Sequence, residues 1–127
     1  MSDHILVIED SPLVQKLLAV CLRDLGLPLE GALDGPSGLE AACARPPALV
    51  ILDIGLPGMD GIQFCKLLRS MPEYRDIPVI HCTVHTDFQT RTQSALSGGD
   101  DFISKPVLPM ELALKAVMHL IERQGLA

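Results

Sequence analysis

Strand and helix patterns alternate along the whole chain, which predicts an α/β domain: a five-stranded parallel sheet with five helices packed on its two faces. Three observations carry that expectation. The runs "HILVI" (4–8), "LVIL" (49–52) and "IPVIHCT" (77–83) are short, apolar and bounded by turn residues, as strands buried on both faces are. The segments between them repeat apolar residues at helical spacing. Several strand runs also end in a polar or acidic residue at the carboxyl edge, where open α/β sheets place their ligand sites.

Taken in order, the first strand leads to Glu9 and Asp10, and Ser11 with Pro12 supplies an N-cap and a first-turn proline. Leu13, Leu17, Cys21 and Leu25 then form an apolar helical stripe that Gly26 ends. "LPLEGAL" (27–33) is a weak second strand, and "SGLEAACAR" (37–45) a short second helix closed by Pro46 and Pro47. The third strand runs into Asp53 and a loop marked by Gly55, Pro57, Gly58 and Gly61, before a third helix carrying Phe64, Cys65 and Leu68. The fourth strand ends at Thr83. The fourth helix, "DFQTRTQSALSGG" (87–99), has a thin apolar stripe of Phe88, Ala95 and Leu96, which marks it as a candidate mobile element. "DFIS" (101–104) is the fifth strand, and Met110 to Gln124 the fifth helix, with Leu114, Val117, Met118 and Ile121 inward.

The 127 residues suit one domain, 1–127. A hydrophobic content of 48% argues against disorder. No apolar run approaches the ~20 residues of a membrane span, and the start "MSDHILVIED" lacks the pattern of a signal peptide. The expectation is a cytoplasmic protein with no membrane partner. Net charge is −6 and the only aromatics are Phe64, Tyr74, Phe88 and Phe102, a poor footprint for nucleic acid. Cys21, Cys43, Cys65 and Cys82 form no CxxC, and the three in helical patterns read as reduced core fillers. "HCTVH" is a weak zinc candidate, because strand alternation sends Cys82 to the face opposite His81 and His85.

In a parallel sheet the carboxyl ends share one edge, so Glu9, Asp10, Asp53, Thr83 and Lys105 can converge. Singly, Asp53 reads as a strand-end turn residue, Glu9 and Asp10 as helix-start charges, and Thr83 and Lys105 as surface residues. Together they make a site. Clustered carboxylates repel unless a cation joins them, and a hard ion such as Mg²⁺, or Mn²⁺, suits oxygen ligands. Asp53 can then act as a nucleophile toward phosphorus, with Lys105 and the metal neutralising the phosphoryl charge and Thr83 donating to one of its oxygens.

The acidic pair after the first strand, "LDIGLPGMDG", "PVIHCT" and "GGDDFISKP" together resemble the receiver domain of two-component response regulators, over essentially the whole chain. The resemblance implies a flavodoxin-like fold with strand order 2-1-3-4-5, phosphorylated on aspartate by a histidine kinase or a histidine phosphotransfer protein. It makes Asp53 the phosphoacceptor. Asp10 would hold Mg²⁺ directly, Glu9 through water, and the Gly55 backbone carbonyl would be the third protein ligand. Thr83 and Phe102 become the switch residues and Lys105 the phosphate-binding lysine. It also implies a cis bond between Lys105 and Pro106, and a downstream protein target on the face of the fourth helix, fifth strand and fifth helix.

The alternatives are a receiver-like module that binds without phosphorylation, or the receiver fragment of a larger regulator with an output domain. An aspartate-nucleophile phosphatase would carry a second acid two residues after Asp53, where this chain has Gly55, and neither nucleotide-binding glycine motif is present. The chain departs from the family at Val84, where receivers carry a small residue. The expectation is slow loading behind Val84 and ordinary or fast hydrolysis beside the bare Gly55.

Overall fold

Each helix for which a cap is defined starts where the sequence supplies one, as seen in a computed structural model that describes residues 3–123. The first strand, β1 (Ile5–Ile8), leads into α1 (Pro12–Leu22), whose N-cap Ser11 accepts from the Val14 N–H at 3.3 Å. A single 3₁₀ turn, Arg23–Leu25, follows, and Gly26 at φ 74° ends it in the left-handed region that favours glycine. β2 (Leu29–Ala32) precedes α2 (Gly35–Ala44), capped by Asp34 onto the Ser37 N–H at 2.7 Å. β3 (Leu49–Leu52) precedes α3 (Gly61–Ser70), where Asp60 and Gln63 satisfy one another's backbone N–H groups in a capping box. β4 (Val79–Thr83) leads to α4 (Phe88–Leu96), capped by Asp87, and β5 (Asp101–Ser104) to α5 (Pro109–Arg123). Caps of this kind contribute about 1 kcal/mol each.

All five strands are parallel, in the order β2-β1-β3-β4-β5, the flavodoxin-like order expected. One apolar layer lies between the sheet and α1 and α5, built on Ile5, Val7, Leu18, Leu22, Ile51, Ile103 and Leu112. The other lies under α2 and α3, built on Leu6, Ile8, Val50, Leu52, Phe64 and Leu68. The order in which strands are added across the sheet reverses between β1 and β3, and there Ile8 pairs with Leu52. The next residues, Glu9 and Asp53, therefore leave the sheet side by side. The Lys105–Pro106 peptide bond is cis. No helix among the described residues is long and apolar enough to cross a membrane.

Three helix faces differ from the sequence expectation. In α1 the buried positions are Leu18 and Leu22, with Val14 packed beside them, while Leu13 and Leu17 of the expected stripe are 67% and 55% exposed. This helix is apolar nearly all round, so two stripes compete. Gln15 decides between them by donating to the carbonyls of Glu9 (3.1 Å) and Ala32 (2.7 Å) at the strand ends, which fixes the rotation. In α5, Leu112 and Ala116 are buried, whereas Leu114, Met118 and Ile121 are exposed and Val117 is half-buried. Here Lys115 and His119 reach β5, bonding the Phe102 carbonyl at 3.0 Å and the Asp101 carboxylate at 2.9 Å, and so turn the helix. In α4 the expected Phe88, Ala95 and Leu96 all face solvent, and Ser94 is the residue it buries. The helix α5 was expected to end at Gln124, which lies outside the described residues. Of the three cysteines expected in the core, Cys65 is buried and Cys21 half-buried, but Cys43 is exposed, because α2 turns Gly38 and Ala42 toward the sheet; Cys82 on β4 is buried as well.

Candidate functional site

The carboxyl edge of the sheet gathers groups from four strands. Asp53 follows β3 with its N–H bonded to the Ile8 carbonyl (3.1 Å), so its side chain rises beside β1. Glu9 follows β1, its N–H held by the Ala32 carbonyl (3.0 Å) and its Oε2 accepting from the Ser11 N–H (3.1 Å). Lys105 follows β5 with its N–H on the Thr83 carbonyl (2.9 Å), which aims its side chain across the sheet. Its Nζ ion-pairs with Asp53 Oδ2 at 2.9 Å and with Glu9 Oε1. Asp10 stands at the exposed rim. Carboxylate oxygens of Glu9, Asp10 and Asp53 come within 4.8 Å of one another.

Asp53 is only 8% exposed. Burial alone raises its pKa, but the ammonium of Lys105, the Gly55 N–H at 3.1 Å and the Thr83 hydroxyl together outweigh it, holding the carboxyl below its ordinary value. For Glu9 the balance goes the other way, and burial keeps its pKa raised despite Lys105. Burial opposes the charge on Lys105 too, yet Glu9 and Asp53 raise its pKa, so the ammonium persists. The site therefore offers a charged nucleophilic carboxylate, a fixed cation touching it, and an acidic oxygen set of the hard type that Mg²⁺ prefers.

Thr83 is fully buried, and its Oγ1 accepts from the His85 N–H at 3.2 Å. Gly55 contributes its N–H to Asp53. Phe102 stands apart from the carboxylates. It pairs in register with His81 on β4, is half-buried, and carries the Arg91 guanidinium 4.6 Å above its ring centre. Sequence reasoning missed two residues. Gln15 holds the Glu9 turn, as described above. His85 covers Gly55: a Cβ built there would stand 2.8 Å from His85 Nε2, so the imidazole fills the space expected to be open. The signal for it was the pairing of a bare position 55 with a ring two residues after Thr83. Val84 is 64% exposed and lines the groove beside Lys105. The zinc candidate does not assemble. His81 bonds Ser94 Oγ at 2.5 Å and Cys82 packs in the opposite layer, while Glu9, Asp10 and Asp53 form the one possible metal group found among the described residues.

A sequence model of the response regulator receiver domain matches residues 5–117. The chain is 36% identical over 138 residues to the phosphate regulon transcriptional regulatory protein PhoB of Klebsiella pneumoniae, covering 100% of this chain and 60% of that one. It is 36% identical over 120 residues to the DNA-binding response regulator MtrA of Mycolicibacterium smegmatis, covering 94% of this chain and 51% of the relative. The chain thus spans between half and two thirds of the length of these relatives. Among solved structures, the signal receiver domain of a signal transduction histidine kinase from Syntrophus aciditrophicus is similar with a TM-score of 0.88 and 33% identity, covering 95% of this chain and 92% of that one.

Proposed function

Because the chain belongs to the response regulator receiver family, a signalling domain of two-component systems, we propose that Asp53 accepts a phosphoryl group and that residues 1–127 act as one receiver unit. The observation that carries this is the Asp53 carboxylate, kept ionised at the sheet edge with the Lys105 ammonium 2.9 Å away and two further acids beside it. An Asp53 oxygen attacks phosphorus, the bond from phosphorus to the donor nitrogen breaks, and the donor imidazole leaves with that electron pair. The product is an aspartyl phosphate. Lys105 meets the new negative charge, and the buried Thr83 hydroxyl donates to one phosphoryl oxygen. Asp10, Asp53 and the Gly55 carbonyl, with Glu9 through water, are the residues that would hold Mg²⁺, or Mn²⁺. The metal would supply charge neutralisation at the phosphoryl oxygens.

The donor in this reading is a histidine kinase or a histidine phosphotransfer protein. A groove of about 540 Å³, lined by Leu17, Val20, Val84, Pro106 and Pro109, opens on Lys105 and gives such a protein an apolar landing surface beside Asp53. The output is a protein target on the face of α4, β5 and α5, where Phe102 and Arg91 lie. Direct nucleic-acid binding by this domain has no support in a net charge of −6, and the expected setting is the cytoplasm. A longer regulator carrying an output domain fits the partial coverage of PhoB and MtrA. The test is intact mass after incubation with acetyl phosphate. The wild type is expected to gain one phosphoryl group with Mg²⁺, and none with chelator. Equal uptake by Asp53→Ala would overturn the assignment, and no uptake by the wild type would favour a binding module that works without phosphorylation.

A further inference from the structure

The helix for which the sequence offers only a thin apolar stripe rests on the sheet through polar groups. Ser94 is the buried residue of α4, while Phe88 and Leu96 at its two ends are 85% and 82% exposed. Beneath it, on β4, lies the fully buried imidazole of His81. His81 Nε2 is 3.3 Å from the carbonyl oxygen of Gly61, which can only accept, so Nε2 carries the proton. Nδ1 then accepts from the Ser94 hydroxyl at 2.5 Å. Burial lowers the pKa of the ring, consistent with this neutral tautomer.

The two partners belong to different parts of the switch. Gly61 opens α3 and is pressed against the backbone of the phosphoacceptor, since a Cβ there would stand 2.4 Å from the Asp53 carbonyl oxygen. Its N–H is bonded to the Ile54 carbonyl at 2.9 Å. Ser94 belongs to α4, part of the proposed output face. Gly99 makes the arrangement possible. A Cβ at that position would stand 2.6 Å from His81 Nδ1, and the Gly99 N–H bonds the Ser94 carbonyl at 2.9 Å. His81, Ser94 and Gly99 are therefore one fitted set.

We infer that His81 is a positioning residue of the switch, tying α4 to the backbone that carries Asp53, so that this helix follows the state of the phosphorylation site by a route beside Thr83 and Phe102. The inference rests on the phosphoacceptor reading of Asp53. A hydrogen bond is directional and is lost steeply once its angle closes, whereas an apolar stripe lets a helix slide. Held at one buried polar point, α4 has discrete made and broken arrangements that a change at the site can bias.

The experiment uses amide chemical shifts and hydrogen exchange on the full chain with Mg²⁺, before and after adding beryllium trifluoride as the phosphoryl mimic. In the wild type the mimic is expected to move amides around Asp53 and along α4. In His81→Leu the shifts around Asp53 persist and those along α4 are lost. Without the mimic, α4 amides in this variant exchange about tenfold faster, the scale of one lost buried hydrogen bond. A merely structural role would not separate the two groups of shifts. Ser94→Ala removes the same bond while placing a strong helix former in α4, and decides the matter alone where His81→Leu does not fold. A wild-type response along α4 in whichever of these variants is folded overturns the inference. A wild type that shows no shift around Asp53 overturns the phosphoacceptor reading instead.

Discussion

Replacing Lys105 by Met should leave two nearly dry carboxylates facing one another. The side chains of Glu9, Asp53 and Lys105 are 4%, 10% and 15% exposed, so water can do little to replace the ammonium. At 2.9 Å the Lys105–Asp53 pair alone has about 6 kcal/mol of gross attraction at an effective dielectric of ~20. Desolvation offsets much of this, and breaking a buried pair from one side costs about 3–5 kcal/mol. Asp10 at the open rim puts the expected loss at the lower end, about 3 kcal/mol at neutral pH without divalent metal. Mg²⁺ should then recover more stability in Lys105→Met than in the wild type, by at least about 1 kcal/mol, because the ion no longer shares its acidic ligands with an ammonium. With the cation gone, both carboxyls titrate higher than in the wild type, because Lys105 lowers each of them, so the deficit is complete at neutral pH and shrinks as pH falls through the carboxylate range. Urea unfolding with and without Mg²⁺, at neutral and acid pH, reads all three effects. A loss under about 1 kcal/mol, or equal Mg²⁺ increments in the two proteins, would show that Lys105 does not hold the cluster together.

The crowded mouth of the site predicts a split between loading and loss. Val84→Ala should speed phosphorylation by acetyl phosphate more than it speeds dephosphorylation. His85→Gly should speed dephosphorylation about tenfold, equivalent to ~1.4 kcal/mol, by uncovering Gly55 to water, and a discharge assay showing no change would remove His85 as the screen. On the other side of β5, burial raises the Asp101 pKa but His119, the Phe102 N–H and Lys115 together bring it below the ordinary 3.8. Its stabilisation is present above that value and is lost as pH falls through the lower folded one. Asp101→Asn should therefore cost about 1 kcal/mol at neutral pH and nothing in strong acid, and a deficit that does not change with pH would exclude this origin.

The site was largely legible in the sequence because it hangs on strand ends. An apolar run with period-free burial has little freedom. Once "LVIL" is a central parallel strand, the next residue must leave at the carboxyl edge, and the order of elements brings Glu9 and Asp53 to the same crevice. Helix existence was equally plain from the helical spacing of apolar residues and, for α1, from Ser11, which caps it as expected; the caps Asp34, Asp60 and Asp87 are further start signals that the spacing alone does not single out. The rotation of each helix was not. Spacing of three and four residues fits two overlapping stripes in α1 and in α5, and apolar count alone favoured Leu13, Leu17, Leu114 and Met118.

What sets those rotations is a small number of long-range polar bonds. Gln15 reaches the Ala32 carbonyl from 17 residues away, His119 reaches Asp101 from 18, and His81 reaches Ser94 from 13. Each is a single directional contact that outweighs a methylene or two of burial, because leaving the strand-end carbonyl or the buried imidazole unpaired costs about 1–3 kcal/mol, against ~0.8 kcal/mol for each CH₂ moved to solvent. No local pattern announces such a contact. Its partners are a polar residue on a helix and a backbone, carboxylate or ring group on a strand whose nearness only the sheet order reveals. The same bonds turn apolar side chains outward beside the site, so that Leu17 and Val20 line the groove next to Lys105 instead of filling the core. The misread faces and the surfaces through which this receiver would meet its partners thus have a common cause, in polar groups that fix the helices at the expense of some apolar burial.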